Sequence, residues 1–321
     1  MEAHKEILRL RATMQNAVLG QEDLVDKLLL AMLADGHLLL EGLPGSAKTR
    51  AIKALAAALD APFGRIQFTP DLLPSDVTGT EVYHSEGGRE TLSFQPGPVF
   101  NSVVLADEIN RAPAKVQSSL LEAMEERQVT VAGKTHKLPA LFLVMATQNP
   151  IEQEGTYPLP EAQLDRFLMK VRIDYPDDDN ELRVMRLVRG EEGGTAGTVQ
   201  PVAVDSVLEA RRQIREVAIS EAMERYIVGL VAATRRPEEF GGRLPDWLKV
   251  GVSPRASIAM DRCARANAWL QGRHQVEPDD IRSVAHPVLR HRLILHYEAE
   301  AQGVDSEQLI DELLGQVAVA V

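Results

Sequence analysis

Short apolar runs recur along the first half of the chain, and longer stretches with amphipathic spacing separate them. Runs of four to seven residues that are apolar almost throughout are typical of strands buried on both faces of a parallel sheet. The stretches Thr49–Leu59 and Ala114–Arg127 repeat apolar residues at helical spacing, which predicts helices. Strands alternating with helices predict a doubly wound α/β layer. The five predicted strands are His37–Glu41, Arg65–Phe68, Ser102–Ala106, Leu141–Ala146 and Leu168–Asp174.

Two segments interrupt this alternation. Thr80–Phe94 and Gln128–Leu138 each contain β-prone stretches around a central glycine turn, a pattern typical of β-hairpins. We expect both hairpins to be added to the sheet and to be candidate moving parts. The sequence alone is equally consistent with two ordinary surface hairpins.

The second half of the chain lacks strand patterns and predicts a helical domain. Capping residues at 175–180 precede a predicted helix at Glu181–Arg189, and Gly190–Thr198 is rich enough in glycine to predict a flexible linker. We therefore expect an α/β core with the two hairpins at residues 1–175 and a helical domain at residues 176–321. Its further predicted helices are Val204–Glu216, Glu221–Arg235, Pro254–Gln271, Pro278–His286 and Ser306–Val317.

Composition narrows the class of protein. The 321 residues include 35 Lys and Arg against 47 Asp and Glu, a formal net charge of −12, which disfavours nucleic acid as a partner because phosphate binding usually needs a basic face. The single cysteine, Cys263, excludes an internal disulfide and favours a reducing compartment. No stretch reaches the roughly 18 to 20 apolar residues of a membrane span, and the first residues do not resemble a secretory signal. We expect a cytoplasmic protein with no membrane span.

A glycine-containing turn directly follows the first predicted strand. Gly42-Leu-Pro-Gly-Ser-Ala-Lys-Thr49 also opens a predicted helix, where backbone N–H groups and the helix dipole favour a bound phosphate. Lys48 would reach the β- and γ-phosphates, and the Thr49 hydroxyl would bind Mg²⁺. A plain glycine turn that caps a helix is the alternative. The predicted ATP-binding set in this segment is Gly42, Pro44, Gly45, Ser46, Ala47, Lys48, Thr49 and Arg50.

Two further strand ends carry polar residues. Asp107 and Glu108 follow the third predicted strand, and Asn149 follows the fourth. Because the carboxyl ends of parallel strands meet at one edge, these residues would converge with Lys48 on one ligand. Asp107 would hold Mg²⁺, Glu108 would polarise a water for attack on the γ-phosphate, and Asn149 would orient that water. A solvated strand end and an Asn-Pro turn are the respective alternatives.

These segments together resemble the AAA+ ATPases and, more narrowly, the MoxR family. The resemblance covers about residues 15–300, and even Ala47 fits the phosphate loop that is typical of MoxR proteins. It implies a P-loop NTPase (AAA+) αβα core with a five-stranded parallel sheet, followed by a helical lid domain. The motifs that carry it are Val18–Gln21, Gly42–Thr49, Phe94–Pro98, Leu105–Pro113, Ala146–Pro150, Tyr157–Phe167 and Val252–Ala256.

The resemblance also assigns residues. Leu19, Gly20 and Gln21 would lie by the adenine. Arg166 corresponds to the arginine finger that enters the neighbouring subunit's site, and Arg255 corresponds to the sensor 2 arginine that contacts the nucleotide from the helical lid. In similar proteins the hairpins, here residues 78–95 and 127–138, face the central pore of a ring.

The implied function is Mg²⁺-dependent ATP hydrolysis by a homo-oligomeric ring, with a hexamer as the expected size. MoxR-like proteins remodel or mature partner proteins, including cofactor insertion, often with a von Willebrand factor A domain partner. Two alternatives belong to other classes, a DNA motor or helicase subunit and a nucleotide-gated scaffold that scarcely hydrolyses ATP. A magnesium-chelatase-like ATPase subunit, a metal-inserting relative, is the closest enzymatic alternative.

Overall fold

The computed structural model describes residues 2–43, 48–86, 89–149, 155–192 and 200–319. Its first part alternates strands with helices. In chain order the elements are α1 (Glu2–Ala17), α2 (Glu22–Leu33), β1 (Leu38–Gly42), α3 (Lys48–Ala58), β2 (Phe63–Gln67), α4 (Pro74–Thr78), β3 (Gly79–Glu86), β4 (Arg89–Pro96), β5 (Val103–Asp107), α5 (Ala114–Glu126), β6 (Gln128–Val131), β7 (Lys134–Lys137), β8 (Leu143–Gln148), α6 (Glu161–Leu164) and β9 (Met169–Ile173).

The remaining elements are mostly helical. They are α7 (Asp178–Glu192), α8 (Val204–Arg215), α9 (Glu221–Arg235), α10 (Leu244–Trp247), β10 (Leu248–Val250), α11 (Pro254–Leu270), α12 (Pro278–Leu289), β11 (Ile294–Leu295), α13 (Tyr297–Ala301) and α14 (Ser306–Gln316). None of the helices within the described ranges is long and apolar enough to cross a bilayer.

The five predicted strands form one parallel sheet with the order β2-β5-β8-β1-β9. Each strand lies within two residues of its predicted bounds at either end. The register places Leu38 opposite Met145 on one side and opposite Met169 on the other. Nearly every side chain of β1, β5 and β8 is buried, because helices cover both faces of the sheet.

Both predicted hairpins form, but neither joins the central sheet. In the described part of the chain β3 pairs with β4 and β6 pairs with β7, each as a separate two-stranded sheet. The prediction that they extend the sheet is wrong, since strands such as Lys134–Lys137 are polar and exposed and have no apolar face to bury. The hairpins instead contact each other through Phe94 and His136, whose stacked rings lie 3.9 Å apart.

The helical part departs from prediction at two places. Helix α7 continues through Gly190 to Glu192, so the first residues of the predicted linker are helical; residues 193–199 lie outside the described residues. The short antiparallel pair β10–β11 was not predicted, because two- and three-residue strands are too short for an alternating pattern. Strand β9 ends at Ile173 and α7 begins at Asp178, a gap that contains the predicted boundary near residue 175.

One continuous apolar cluster fixes the helical part against the α/β part. It includes Ile7 of α1 and Leu38 of β1 together with Val207 of α8 and Met260 of α11. Two buried arginines add ion pairs across the same boundary: Arg292 donates to Asp165 at 2.7 Å, and Arg211 lies 2.7 Å from Asp35. Because both guanidinium groups are buried, loss of either acidic partner would leave an uncompensated buried charge.

Two buried histidines make the stability of this fold depend on pH. Burial lowers the pKa of His37 from 6.5 to about 3, with repulsion from Arg127 as the second cause. His37 accepts a hydrogen bond from the Val144 N–H at 3.0 Å, which requires a neutral ring nitrogen. Burial also lowers the pKa of His291 well below its ordinary value.

We expect acid to destabilise the protein partly through His37. In the unfolded chain the His37 imidazole is protonated below about pH 6.5. In the folded chain it stays neutral down to about pH 3. This histidine should therefore cost about 2 kcal/mol of unfolding free energy between pH 7 and pH 5. Urea unfolding of His37→Gln should show a correspondingly weaker pH dependence, whereas His274→Gln, at an exposed position, should match the wild type. An unchanged pH dependence in His37→Gln would show that His37 binds protons equally in the folded and unfolded protein, which contradicts the lowered pKa.

Candidate functional site

Three of the predicted site segments meet at the carboxyl edge of the sheet. Strand β1 ends at Gly42, α3 begins at Lys48, and the lysine ammonium donates to the Gly42 carbonyl. The neighbouring strands β5 and β8 end at Asp107 and at Gln148. Asn149 follows Gln148 directly and is 8% exposed. Thr49 lies in the first turn of α3. The predicted loop residues Pro44, Gly45, Ser46 and Ala47 lie outside the described residues.

Both carboxylate oxygens of Asp107 are held in place. The Thr147 hydroxyl donates to Oδ1 at 2.7 Å, and an Arg65 Nη2 donates to Oδ2 at 2.7 Å. The same Thr147 hydroxyl accepts the backbone N–H of Glu108 at 2.8 Å, so one buried side chain fixes two neighbouring acidic residues. This arrangement orients Asp107 before any ligand binds.

Glu108 leaves the strand through a strained backbone. Its φ of 58° and ψ of 50° lie in the left-handed region, which costs a residue other than glycine about 1–2 kcal/mol. The turn directs its carboxylate away from β5, where it accepts from Gln67 Nε2 at 2.8 Å and pairs with Arg111 Nε at 3.2 Å. Strain of this kind is frequent at functional positions, where the surrounding contacts hold it.

The segment predicted to lie by the adenine is anchored beside this edge. The Gln21 amide donates to the Asp174 carbonyl at 2.9 Å, just after β9. Gly20 has a φ of 73°, and a Cβ there would lie 2.6 Å from Cβ of Asn180, so only glycine fits at this position. Arg50 donates through Nε to the Ala17 carbonyl at 2.8 Å. It therefore ties α3 to the end of α1, two residues before Leu19, which is a structural contact that the sequence did not predict.

Arg166 and Arg255 lie at the opposite edge of the sheet. They line a cavity of about 450 Å³ together with Gly36 and His37, which precede β1, and Leu168, which precedes β9. Strand β1 separates this amino-terminal edge from the phosphate loop by about 13 Å. The two arginines thus do not converge with Lys48 and Glu108 of their own chain.

A single glutamate holds both arginines. Arg166 Nε lies 2.9 Å from Glu125 Oε2, and Arg255 Nη2 donates to Glu125 Oε1. The cavity walls carry five arginines and three carboxylates, so their formal charge is positive by two. The arginines are Arg127, Arg166, Arg255, Arg262 and Arg292, and the carboxylates are Asp35, Glu125 and Asp165.

Sequence reasoning missed several residues of both edges. Arg65 and Gln67 are the exposed positions of the otherwise buried strand β2, and this alternation was the available signal. Thr147 carried no separate signal within its apolar run. Glu125 is one of several acidic residues on α5, and the sequence does not distinguish it from its exposed neighbours Glu122 and Glu126.

Comparison with known families defines the class of protein. Residues 37–169 match the family described as ATPase family associated with various cellular activities (AAA). Residues 246–313 match the family described as AAA lid domain. Together with the parallel sheet and the acidic strand end, these matches define an AAA+ ATPase with a helical lid. The predicted fold class is confirmed.

Comparison with individual proteins narrows the class further. Chaperone MoxR1 of Mycobacterium tuberculosis is 45% identical over 309 residues, which cover 94% of this chain and 79% of that protein. Protein MoxR of Paracoccus denitrificans is 35% identical over 309 residues, covering 91% and 89%. The crystal structure of a Cytophaga hutchinsonii protein described as an ATPase superposes with a TM-score of 0.93 at 46% identity, covering 100% of this chain and 96% of that one. The chain belongs to the MoxR family of AAA+ ATPases.

Proposed function

We propose that this protein hydrolyses ATP with Mg²⁺ as a closed ring of identical subunits and uses the reaction to remodel partner proteins. The supporting observation is the separation of the two halves of the site. The phosphate loop and Glu108 occupy one edge of the sheet, and the arginine-lined cavity occupies the other. A complete site then requires the edges of two chains, and a head-to-tail contact of this kind forms a ring when the rotation between successive subunits closes.

The residues of the carboxyl edge support hydrolysis chemically. The Thr49 hydroxyl and the Asp107 carboxylate are hard oxygen donors of the kind that Mg²⁺ takes beside nucleotide phosphates. Bound there, the ion would neutralise charge that develops on the phosphates. Lys48 would contact the β- and γ-phosphates, Glu108 would take a proton from the attacking water, and Asn149 would orient that water. Leu19, Gly20 and Gln21 would contact the adenine.

The arginines at the amino-terminal edge of the sheet support a role in the nucleotide site of the neighbouring subunit. Arg166 and Arg255 present guanidinium groups, which are always charged and match phosphate geometry. We propose that both enter the neighbouring subunit's site, so the sensor 2 arginine serves the next subunit together with the finger. A hexamer is the ring size that we propose from the family resemblance.

The client side of the function rests on relatives. One is named a chaperone, which favours protein substrates, and a von Willebrand factor A domain partner and cofactor insertion remain proposals from the family resemblance. A charge of −12 on every subunit disfavours a DNA motor. A magnesium-chelatase-like subunit shares the same chemistry and would differ in its client. We also propose a cytoplasmic location and a domain boundary near residue 175.

Steady-state phosphate release tests the proposed reaction. We expect the purified full chain to release phosphate from ATP with Mg²⁺, to stop when EDTA removes the metal, and to sediment as a ring of uniform size with ATP bound. The rate per chain should rise with protein concentration, since isolated chains have incomplete sites. Absence of phosphate release at concentrations where rings form would favour the nucleotide-gated scaffold.

A further inference from the structure

We propose that Glu125 is a positioning residue that holds Arg166 and Arg255 as one phosphate-binding pair for the neighbouring subunit. This inference rests on the proposed function. Its basis is that the two carboxylate oxygens of Glu125 contact different arginines, Arg166 through Nε at 2.9 Å and Arg255 through Nη2. The contact joins the α/β core to the lid, because Arg166 follows α6 and Arg255 lies in the first turn of α11.

The backbones of the two arginines are fixed by a different residue. Asp165, next to Arg166, accepts from the Ser253 hydroxyl at 2.7 Å and from Arg292 Nε at 2.7 Å. Ser253 in turn caps α11 by accepting the backbone N–H of Arg255 at 3.1 Å. Asp165 thus already fixes the backbone at Arg166 and at Arg255. Glu125 determines only the direction of the two guanidinium groups.

Electrostatics explains why an acidic residue is needed between them. Two guanidinium groups close together repel each other, and the surrounding cavity has a positive excess. A carboxylate between them offsets this repulsion and keeps both groups together on one side of the cavity. The side chains of Glu125, Arg166 and Arg255 are 31–46% exposed. Without the ion pairs, these side chains would be free to adopt several rotamers in water.

The geometry leaves donors for a phosphate. A guanidinium has five N–H groups, and Glu125 uses one nitrogen of each arginine. The remaining groups can bind phosphate oxygens while Glu125 stays in place. Glu125 thus acts on the arginines and does not itself touch the nucleotide.

Replacing Glu125 by glutamine tests the pair. The isosteric amide keeps the volume but loses the charge, so both arginines should lose their fixed direction. We expect kcat for ATP hydrolysis to fall about 10- to 100-fold while KM changes less than threefold, because each chain's own nucleotide contacts remain. Glu126→Gln, an exposed neighbour on α5, should behave as wild type. Glu125→Asp keeps the charge and should retain more activity than Glu125→Gln.

Mixed rings distinguish positioning from a local defect. Glu125→Gln chains keep an intact phosphate loop, and Lys48→Ala chains keep the Glu125–arginine cluster. Mixing the two impaired proteins should therefore restore activity above the sum of the separate proteins. A local defect in α5 that disabled the chain's own Glu108 would give no rescue.

Several outcomes would overturn the inference. Wild-type kcat in Glu125→Gln, lower activity in Glu125→Asp than in Glu125→Gln, or no rescue on mixing would each contradict it. If Glu125→Gln is fully active while Arg166→Ala is inactive, the proposed function stands and the role of Glu125 fails. If the wild type hydrolyses no ATP, the proposed function fails first. The melting temperatures of Glu125→Gln and Glu125→Asp should match that of the wild type. A lowered melting temperature in both variants would point to a structural role of Glu125.

Discussion

Glu108→Gln is expected to lower kcat for ATP hydrolysis by at least about 100-fold, the usual contribution of a positioned general base. The amide cannot take a proton from water, but it has the same shape and can keep the contact with Gln67, which lies 2.8 Å from the carboxylate. The dissociation constant for ATP should therefore stay within about threefold of the wild type. A phosphate-release assay and a fluorescent-nucleotide titration measure the two quantities.

Two comparisons make this result specific. Glu122→Gln removes an exposed carboxylate from α5 and should leave kcat unchanged. Lys48→Ala should instead weaken ATP binding, because the lysine would contact the phosphates directly. Undiminished hydrolysis by Glu108→Gln would remove Glu108 as the base. Because ATP should stay bound to the inactive ring, the same variant can retain client proteins for identification.

Arg166→Ala is expected to reduce kcat about 1,000-fold in rings made only of that variant, at the lower end of the range for arginine fingers. The loss should be repaired by mixing with Lys48→Ala chains, which supply Arg166 but have no working site. In a random equal mixture, about one subunit interface in four places the intact nucleotide site of an Arg166→Ala chain next to the intact Arg166 of a Lys48→Ala chain. The activity of the mixture should therefore approach a quarter of the wild-type activity. Phosphate release across mixing ratios should peak near equal amounts.

The control for this experiment uses the double variant. Chains with both Arg166→Ala and Lys48→Ala supply neither a working nucleotide site nor an intact Arg166. They should not rescue Arg166→Ala. If the single variants also fail to complement, Arg166 acts within its own chain or not on nucleotide at all. That outcome would conflict with its position across the sheet from Lys48.

The carboxyl edge could be predicted from sequence because each of its residues is marked locally. Asp107 and Asn149 lie at the ends of apolar runs, and Lys48 closes the glycine-containing turn that follows another. Parallel strands bring such positions together without further information. Strands β1, β5 and β8 were predictable for the same reason, since burial on both faces makes them apolar almost throughout. The hairpins were recognisable from their turns, but their separation from the sheet depends on tertiary packing.

The amino edge could not be predicted in this way. Glu125, Arg166 and Arg255 come from a helix, a turn and the lid, and their sequence separations carry no periodic signal. Their meeting follows from the packing of the lid, through Asp165 and Arg292, which are 127 residues apart. Family resemblance marked the arginines but not the edge on which they lie or the glutamate between them.

Helix α5 gives the proposed ring a direction. It begins three residues after Arg111, the ion-pair partner of Glu108, and it ends one residue after Glu125. Over these 13 residues it spans about 19 Å as a single rigid rod. In the proposed ring α5 therefore connects the Glu108 end of a subunit's own site with the glutamate that holds the arginines offered to the next site. This connection reaches one neighbour and not the other, so any coupling between sites would have a single direction around the ring.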